Sequence, residues 1–311
     1  MIPNFAEVCP MMYVTIDDHY RALPAALKPR GEQAGCSDSE LLTMLIVSEC
    51  MGWQQSGRVP FQCETEHVSQ WARHRDLFSH QPDRTRLNRR RRALVATLLA
   101  VRCRVLAALP PAHDRQCVVD SLPIPVLAFH LVPGANNAGH WRSWGADYGR
   151  VTSKQQTIFG YKLHLLVTLG GVIRDYVLAP ASAHDVLLAP ELLGEHDDLV
   201  VLGDKGYISA PLAETLREEH TLHLLTPPRK NALAPAPHAR VSLWNGLRQV
   251  VETVNEQLTA QFAIGRHGAH TFGGLAARLE AKRTAHTLCL ALNWQLGKTA
   301  WLQIKALAFP F

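Results

Sequence analysis

Two aspartates and a glutamate stand out as residues placed to do chemistry. Asp204 follows the apolar run Leu199-Val200-Val201-Leu202 and Gly203. A short apolar run bounded by polar and glycine residues reads as a buried strand. A carboxylate at the exit of such a strand has a fixed backbone and open oxygens, which suits a hard divalent cation. It suits equally well the plain capping of the turn Lys205-Gly206-Tyr207, which leads into a helix expected from Ser209. Asp120 ends a second apolar run, Cys117-Val118-Val119, and Pro123 and Pro125 beyond it exclude a helix interior. Asp120 is therefore expected within or beside a first strand.

Glu252 lies on a long helix expected over residues 241–262, whose core stripe is Leu243, Leu247, Val250, Val251, Val254 and Leu258. Asn245, Arg248, Glu252 and Glu256 fall on the opposite side. That side is either solvent surface, with an Arg248–Glu252 pair worth a few tenths of a kcal/mol, or the source of a carboxylate for a neighbouring site. Two strand aspartates and a helical glutamate suit Mg2+, which takes oxygen ligands in octahedral geometry and shares them with phosphate. Two such ions about 4 Å apart activate a water or a 3′-hydroxyl and stabilise the leaving oxygen.

The elements that must position these groups divide in two. Residues 1–112 read as helical. Ser37 and Glu40 form a capping-box start before Leu41–Val47, a second helix is expected over 64–75, and a third from near Thr85. In the third, Leu87, Leu94, Leu98, Val101 and Val105 make one stripe. Arg84, Arg86 and the run Arg89-Arg90-Arg91-Arg92 crowd the same segment, with Arg89 and Arg92 directed away from the stripe. Such a helix presents arginines to a phosphate backbone, the competing reading being a solvated basic face. Leu109-Pro110-Pro111 closes the region. The pattern then becomes mixed α/β. The Asp120 strand is followed by a loop over 134–153, a strand 158–167 carrying Lys162 and His164, a Gly170-Gly171 turn and a returning strand 172–178. A short helical stretch to Leu193, the Asp204 strand, a helix 209–219 and a strand 222–226 complete it. After a loop over 227–238 come the Glu252 helix and a final helix 273–294, whose Arg278, Lys282 and Arg283 form a second basic cluster.

The 311 residues are 47% hydrophobic, enough for a sizeable core, and the formal net charge is +5, so the distribution of charge matters more than its total. The seven cysteines are scattered without a CxxC, which argues against a disulfide framework or a zinc site. No signal peptide and no membrane-spanning run is apparent, so a cytoplasmic location, associated with the nucleoid, is expected.

Five motifs in order tie these features together: Val119-Asp120-Ser121-x-Pro123, Gly160-Tyr161-Lys162-Leu163-His164, Ala181-Ser182-Ala183-His184-Asp185, Gly203-Asp204-Lys205-Gly206-Tyr207 and Arg248-x-x-Val251-Glu252. From Val118 to Trp294 the chain resembles the DDE transposases of bacterial insertion sequences, within the RNase H-like superfamily that includes retroviral integrases. The resemblance implies a mixed five-stranded sheet flanked by helices, preceded by an all-helical DNA-binding region. The expected division is 1–112 for DNA binding, 113–298 for catalysis and 299–311 as a tail. Asp120, Asp204 and Glu252 would be the catalytic triad holding two Mg2+, with Mn2+ able to substitute. Arg248 and Lys205 would support the glutamate helix or touch DNA. Arg84, Arg86, Arg89, Arg92, Lys162, Lys205, Arg248, Lys282 and Arg283 are the expected DNA contacts. The partners would be double-stranded DNA, both inverted-repeat ends and target, bound by a homodimer. The activity implied is metal-dependent cleavage at transposon ends and strand transfer. Alternatives are an inactive or domesticated DNA-binding protein, or a nuclease without strand joining. Some relatives carry a Tyr three residues before the Arg and a Lys seven after the Glu; Asn245 and Thr259 stand here instead. The separation of 48 positions from Asp204 to Glu252 leaves no room for a large β insertion. Asp185 and Glu256 are the competing candidates for the second and third ligands.

Overall fold

The computed structural model describes residues 5–29, 35–53, 63–151, 155–228 and 238–307, and for 63–64, 238–245 and 306 the backbone alone. Most of the expected 227–238 loop, the end of the 134–153 loop, the side chains of Leu243 and Asn245 and the last residues of the tail lie outside that description. In chain order the helices begin with α1 (Phe5–Arg21), α2 (Asp38–Cys50), α3 (Cys63–Trp71), α4 (Arg84–Ala93) and α5 (Val95–Ala108). Next come β1 (Gln116–Leu127), α6 (Ala138–Ser143), β2 (Asp147–Val151), β3 (Gln156–Thr168), β4 (Ile173–Pro180), α7 (Asp185–Leu193) and β5 (Val200–Leu202). The chain continues through α8 (Ala210–His220), β6 (His223–Leu225), α9 (His238–Glu256) and α10 (Phe272–Gln295). Among the described residues no helix is long and apolar enough to cross a membrane.

Two compact units emerge, Pro110–Glu256 and a helical unit of Met1–Leu109 with Gln257–Phe311. The first boundary between the units lies between Leu109 and Pro110. The second differs from the expected 113–298 division, because α10 packs with α2 and α5 in the helical unit. The reason is that α10 is covered on every side: nearly all of Leu275–Asn293 is buried, polar residues included.

In the helical unit the capping box forms as expected. The Ser37 hydroxyl accepts from Glu40 N (3.2 Å), and Ser37 N donates to Glu40 Oε2 (2.6 Å). The expected third helix is two helices. Asp83 caps the start of α4 by accepting from Thr85 N and Arg86 N, each at 2.9 Å, and Leu94 breaks the run with φ −90° and ψ 3°. The predicted stripe of Leu87, Leu94, Leu98, Val101 and Val105 is buried throughout.

The other unit is a mixed α/β sheet domain, consistent with an RNase H-like fold. Its sheet runs in the order β2-β3-β1-β5-β6, with β4 also on β3. β1 pairs antiparallel with β3 and parallel with β5. β3 is long enough to carry β2 along Gln156–Gly160 and β4 along Tyr161–Val167. The sixth strand, β2, replaces part of the expected loop. It shows little hydrophobic alternation, and Gly149 is essential to its position, since a Cβ there would lie 2.1 Å from Ala181 O. One face of the sheet buries Cys117, Val119, Leu166, Val201 and Tyr207 together with Ala189, Leu192 and Leu193 of α7 and Leu216 of α8. β1, hydrogen-bonded on both edges, is the strand that carries Asp120.

Candidate active site

The parallel register of β1 and β5 runs Gln116 to Val200, Cys117 to Val201 and Val118 to Leu202. Carried two residues further, past the end of β5, it brings Asp204 toward Asp120, whose carboxyl feels the Asp204 charge. Gly203 supports that extension: a Cβ on it would meet Val119 Cγ1 at 3.3 Å, one residue before the aspartates. Side chains alternate along a strand, so Asp120 leaves β1 on the face opposite Val119 and its core.

Asp204 does cap the following turn. It precedes the 3-10 turn Lys205–Tyr207 and accepts from Gly206 N at 2.7 Å through Oδ1. Capping and ligation are compatible, since a carboxylate has a second oxygen. Asp185, the first residue of α7, comes to the same place. A Cβ on Gly206 would lie 2.9 Å from both Asp185 Oδ2 and Asp204 Oδ1, so the two carboxylates close on this glycine and would have to move for a methyl. The other Asp185 oxygen is held by Lys162 Nζ at 2.8 Å, and Lys162 also donates to Ala183 O at 2.7 Å. Lys162 thus ties the start of α7 to β3, and its ammonium is engaged within the domain rather than presented to a partner.

Asp120 is held by two donors, Ser121 N at 2.9 Å and Asn255 Nδ2 at 3.0 Å. Burial pushes its pKa up to about 6; the Ser121 N–H and the Arg248 charge pull it down, and Asp204 and Asp185 push it up. Three carboxylates therefore interact around one strand end. Burial, with further contributions from Asp185, Asp120 and Asp204, raises the Tyr207 hydroxyl far above its ordinary range. It stays protonated and pairs with His164 Nδ1 at 3.0 Å. Burial depresses His164 to about 4, so the ring is neutral.

Glu252 is the least engaged of the expected triad. It is exposed and belongs to no group of three His, Cys, Asp or Glu residues close enough to hold a metal, of which there is none among the described residues. Its helix face is nevertheless the one that meets Asp120. Arg248, one turn before it, acts on Asp120 electrostatically, and Asn255, three residues after it, donates to Asp120. Positions three and four apart share a helix face, so Glu252 stands between two residues that reach the aspartate. Glu256 is exposed where α9 passes into the π-helical turn Gln257–Gln261. Asn255 was the residue sequence reasoning missed; its position three after Glu252 was the available signal.

The basic residues separate sharply. Arg84, Arg86, Arg89 and Arg92 are exposed on α4, and Lys205 is exposed on the turn beside Asp204. Arg248 is half-buried. Arg90 pairs with buried Asp38, and Arg91 is buried. Lys282 and Arg283 correct the expectation of a second DNA-facing cluster. Both are 1% exposed; Lys282 pairs with Glu49 at 2.7 Å and donates to Phe262 O, and Arg283 pairs with Glu280. A buried cation must have a buried partner, and each finds one inside the helical unit.

Residues 112–288, more than half the chain, match the family described as the transposase DDE domain. No curated protein and no solved structure gives a significant match. A general DNA-cleaving role follows from that match, and the chain belongs to the transposase DDE domain family.

Proposed function

We propose that this chain is an insertion-sequence transposase that cuts DNA at transposon ends and joins the freed 3′-hydroxyl to target DNA. One observation carries the reading: Asp120 on β1 feels the charge of Asp204 and accepts from Asn255 on the α9 face that bears Glu252. The donor set suits a divalent cation, as the family's chemistry requires. All the donors are carboxylate oxygens, and burial and mutual repulsion that raise Asp120 to about 6 would be relieved by a cation. Asp120, Asp204 and Glu252 would hold it. Two Mg2+, or Mn2+ in their place, would polarise the scissile phosphate and activate the attacking water or 3′-hydroxyl.

The chain's own residues do the rest. Ser121 N–H and Asn255 hold the Asp120 carboxylate, Gly206 N–H fixes one oxygen of Asp204, and Arg248 offsets charge at Asp120. Lys162 keeps Asp185 paired, which disfavours Asp185 as a replacement ligand for Asp204. Arg84, Arg86, Arg89 and Arg92 are available to phosphates of double-stranded DNA, and Lys205 to a phosphate near the carboxylates. Two ends and one target call for a homodimer on DNA.

Asp204→Asn tests the reading, because an amide keeps the cap on Gly206 and removes the charge. Strand transfer in Mg2+ should fall by ~10³-fold or more, while gel-shift binding of transposon ends is retained. Strand transfer at near wild-type rate would make Asp204 a structural cap only. Cleavage without joining by the wild-type protein would mark it as a nuclease.

A further inference from the structure

Of the large apolar side chains left exposed, four fall within twenty residues: Phe129 at 52%, Leu131 at 56%, Trp144 at 54% and Tyr148 at 38%. They belong to the segment between β1 and the end of β2, in the sheet domain. Phe129 and Tyr148 form a connected surface over Phe159, and the Trp144 backbone is tied to the next outward residue of β3, its carbonyl accepting from the Tyr161 hydroxyl at 2.9 Å. Phe129 meets Tyr148 edge-on at 5.7 Å, Tyr148 leans on Phe159 at 5.1 Å, and the Arg142 guanidinium sits over Phe159 at 5.6 Å. Phe159 is buried in β3, so the exposed rings rest on a fixed base. Gly149, pressed against Ala181 O, holds β2 close beneath them. Arg142, Arg150 and His130 are exposed in the same segment, and Arg150 shares the Tyr148 face of β2 by alternation. The acid of this strand, Asp147, accepts from Ser182 and from Tyr148 N at 2.7 Å and feels the Arg142 charge, which leaves Arg150 and the outer side of Arg142 to a ligand.

Exposed apolar patches mark interaction surfaces, and this one interleaves rings with guanidiniums. An apolar protein surface would leave the guanidiniums unmatched, whereas single-stranded nucleic acid offers base faces to the rings and phosphates to the arginines. Paired bases stack on one another and have no free face to give. We propose that Phe129, Tyr148 and Trp144, with Arg142 and Arg150, form a platform on which unpaired DNA bases stack. The proposal rests on the reading of DNA as the substrate and adds an unpaired segment to it. Its place is defined by β3. Tyr148 pairs with Phe159, Asp120 pairs with Leu165, and the six intervening steps put the platform about 20 Å along the same face of the strand. The unpaired stretch would lie several nucleotides from the reacting phosphate.

The test uses the full chain and three probes at fixed salt: a blunt 20-base-pair duplex, the same duplex with a single-stranded tail of six thymidines, and a twelve-thymidine strand. The wild-type protein should prefer the tailed duplex to the blunt one. Phe129→Ala with Tyr148→Ala, and separately Trp144→Ala, should weaken binding of the tailed and single-stranded probes by about 5-fold or more per stacked base, with blunt-duplex affinity retained. Tyr148→Trp should retain binding to all three. If the double variant melts early, Trp144→Ala decides alone, since its side chain is exposed. A wild-type protein that binds the blunt duplex with no gain from the tail, or variants that weaken all probes equally or none, overturns the platform and leaves the transposase reading standing. A wild-type protein that binds none of the probes overturns both.

Discussion

Asp120→Asn should make the metal-free protein more stable while destroying its activity. Burial first, then Asp204 and Asp185, hold the Asp120 carboxyl at about 6 against an ordinary value of 3.8. At neutral pH its charge therefore costs the fold about 3 kcal/mol, at ~1.4 kcal/mol per pKa unit. The amide removes that cost but has one acceptor oxygen for two donors, Ser121 N and Asn255 Nδ2, a loss of about 1 kcal/mol. The net gain is about 2 kcal/mol, or about 3 °C in Tm for a chain of this size. The sign with pH follows from a raised carboxylate. The penalty is absent below about 3.8, grows as pH rises, and is complete above about 6, so the advantage of the amide should vanish by pH 4. Mg2+ should reverse the order, stabilising the wild-type protein by mass action and the variant little. The assay is thermal unfolding in EDTA and in Mg2+ at pH 7.5 and pH 4. An unchanged or lower Tm for the variant in EDTA at pH 7.5 would refute the electrostatic account, and equal stabilisation of both proteins by Mg2+ would refute Asp120 as a ligand.

Replacing Arg89 and Arg92 together by alanine should lower the slope of log affinity against log salt by ~2, at ~0.9 per phosphate contact; an unchanged slope in DNA titrations would make this a solvated face. Gly206→Ala places a methyl 2.9 Å from Asp185 Oδ2 and Asp204 Oδ1, so Mg2+-dependent cleavage should fall at least tenfold with a small change in Tm. Full cleavage by that variant would show that the two carboxylates need not stay where they are. Lys282→Met leaves Glu49 buried without its cation and should cost about 3–5 kcal/mol in denaturant unfolding. Adding Glu49→Leu should recover most of it, and DNA affinity of the doubly substituted protein should match wild type because the ammonium is 1% exposed.

What could be read from the sequence alone was whatever depends on near neighbours along the chain. The Ser37–Glu40 cap, the α4–α5 stripe, the outward arginines, the Asp120 and Asp204 strands and the Gly170-Gly171 hairpin all rest on local periodicity or turn chemistry. The order of five motifs, together with the family match, identified the fold. Tertiary structure decided which polar faces stay wet. Lys282 and Arg283 look like a surface cluster in one dimension, but α10 is enclosed by the helical unit and each cation meets a carboxylate distant in sequence or one turn away. Lys162 reads as an outward strand residue until α7 brings Asp185 to it. β2 was invisible because its five residues become a strand only by pairing with β3. Asp120 and Asp204, 84 residues apart, come within electrostatic reach through the pairing of β1 with β5, which no local signal encodes. Periodicity reports which side of an element is apolar; what covers the other side, and which carboxylates must share a space, is set by contacts between residues far apart in the chain.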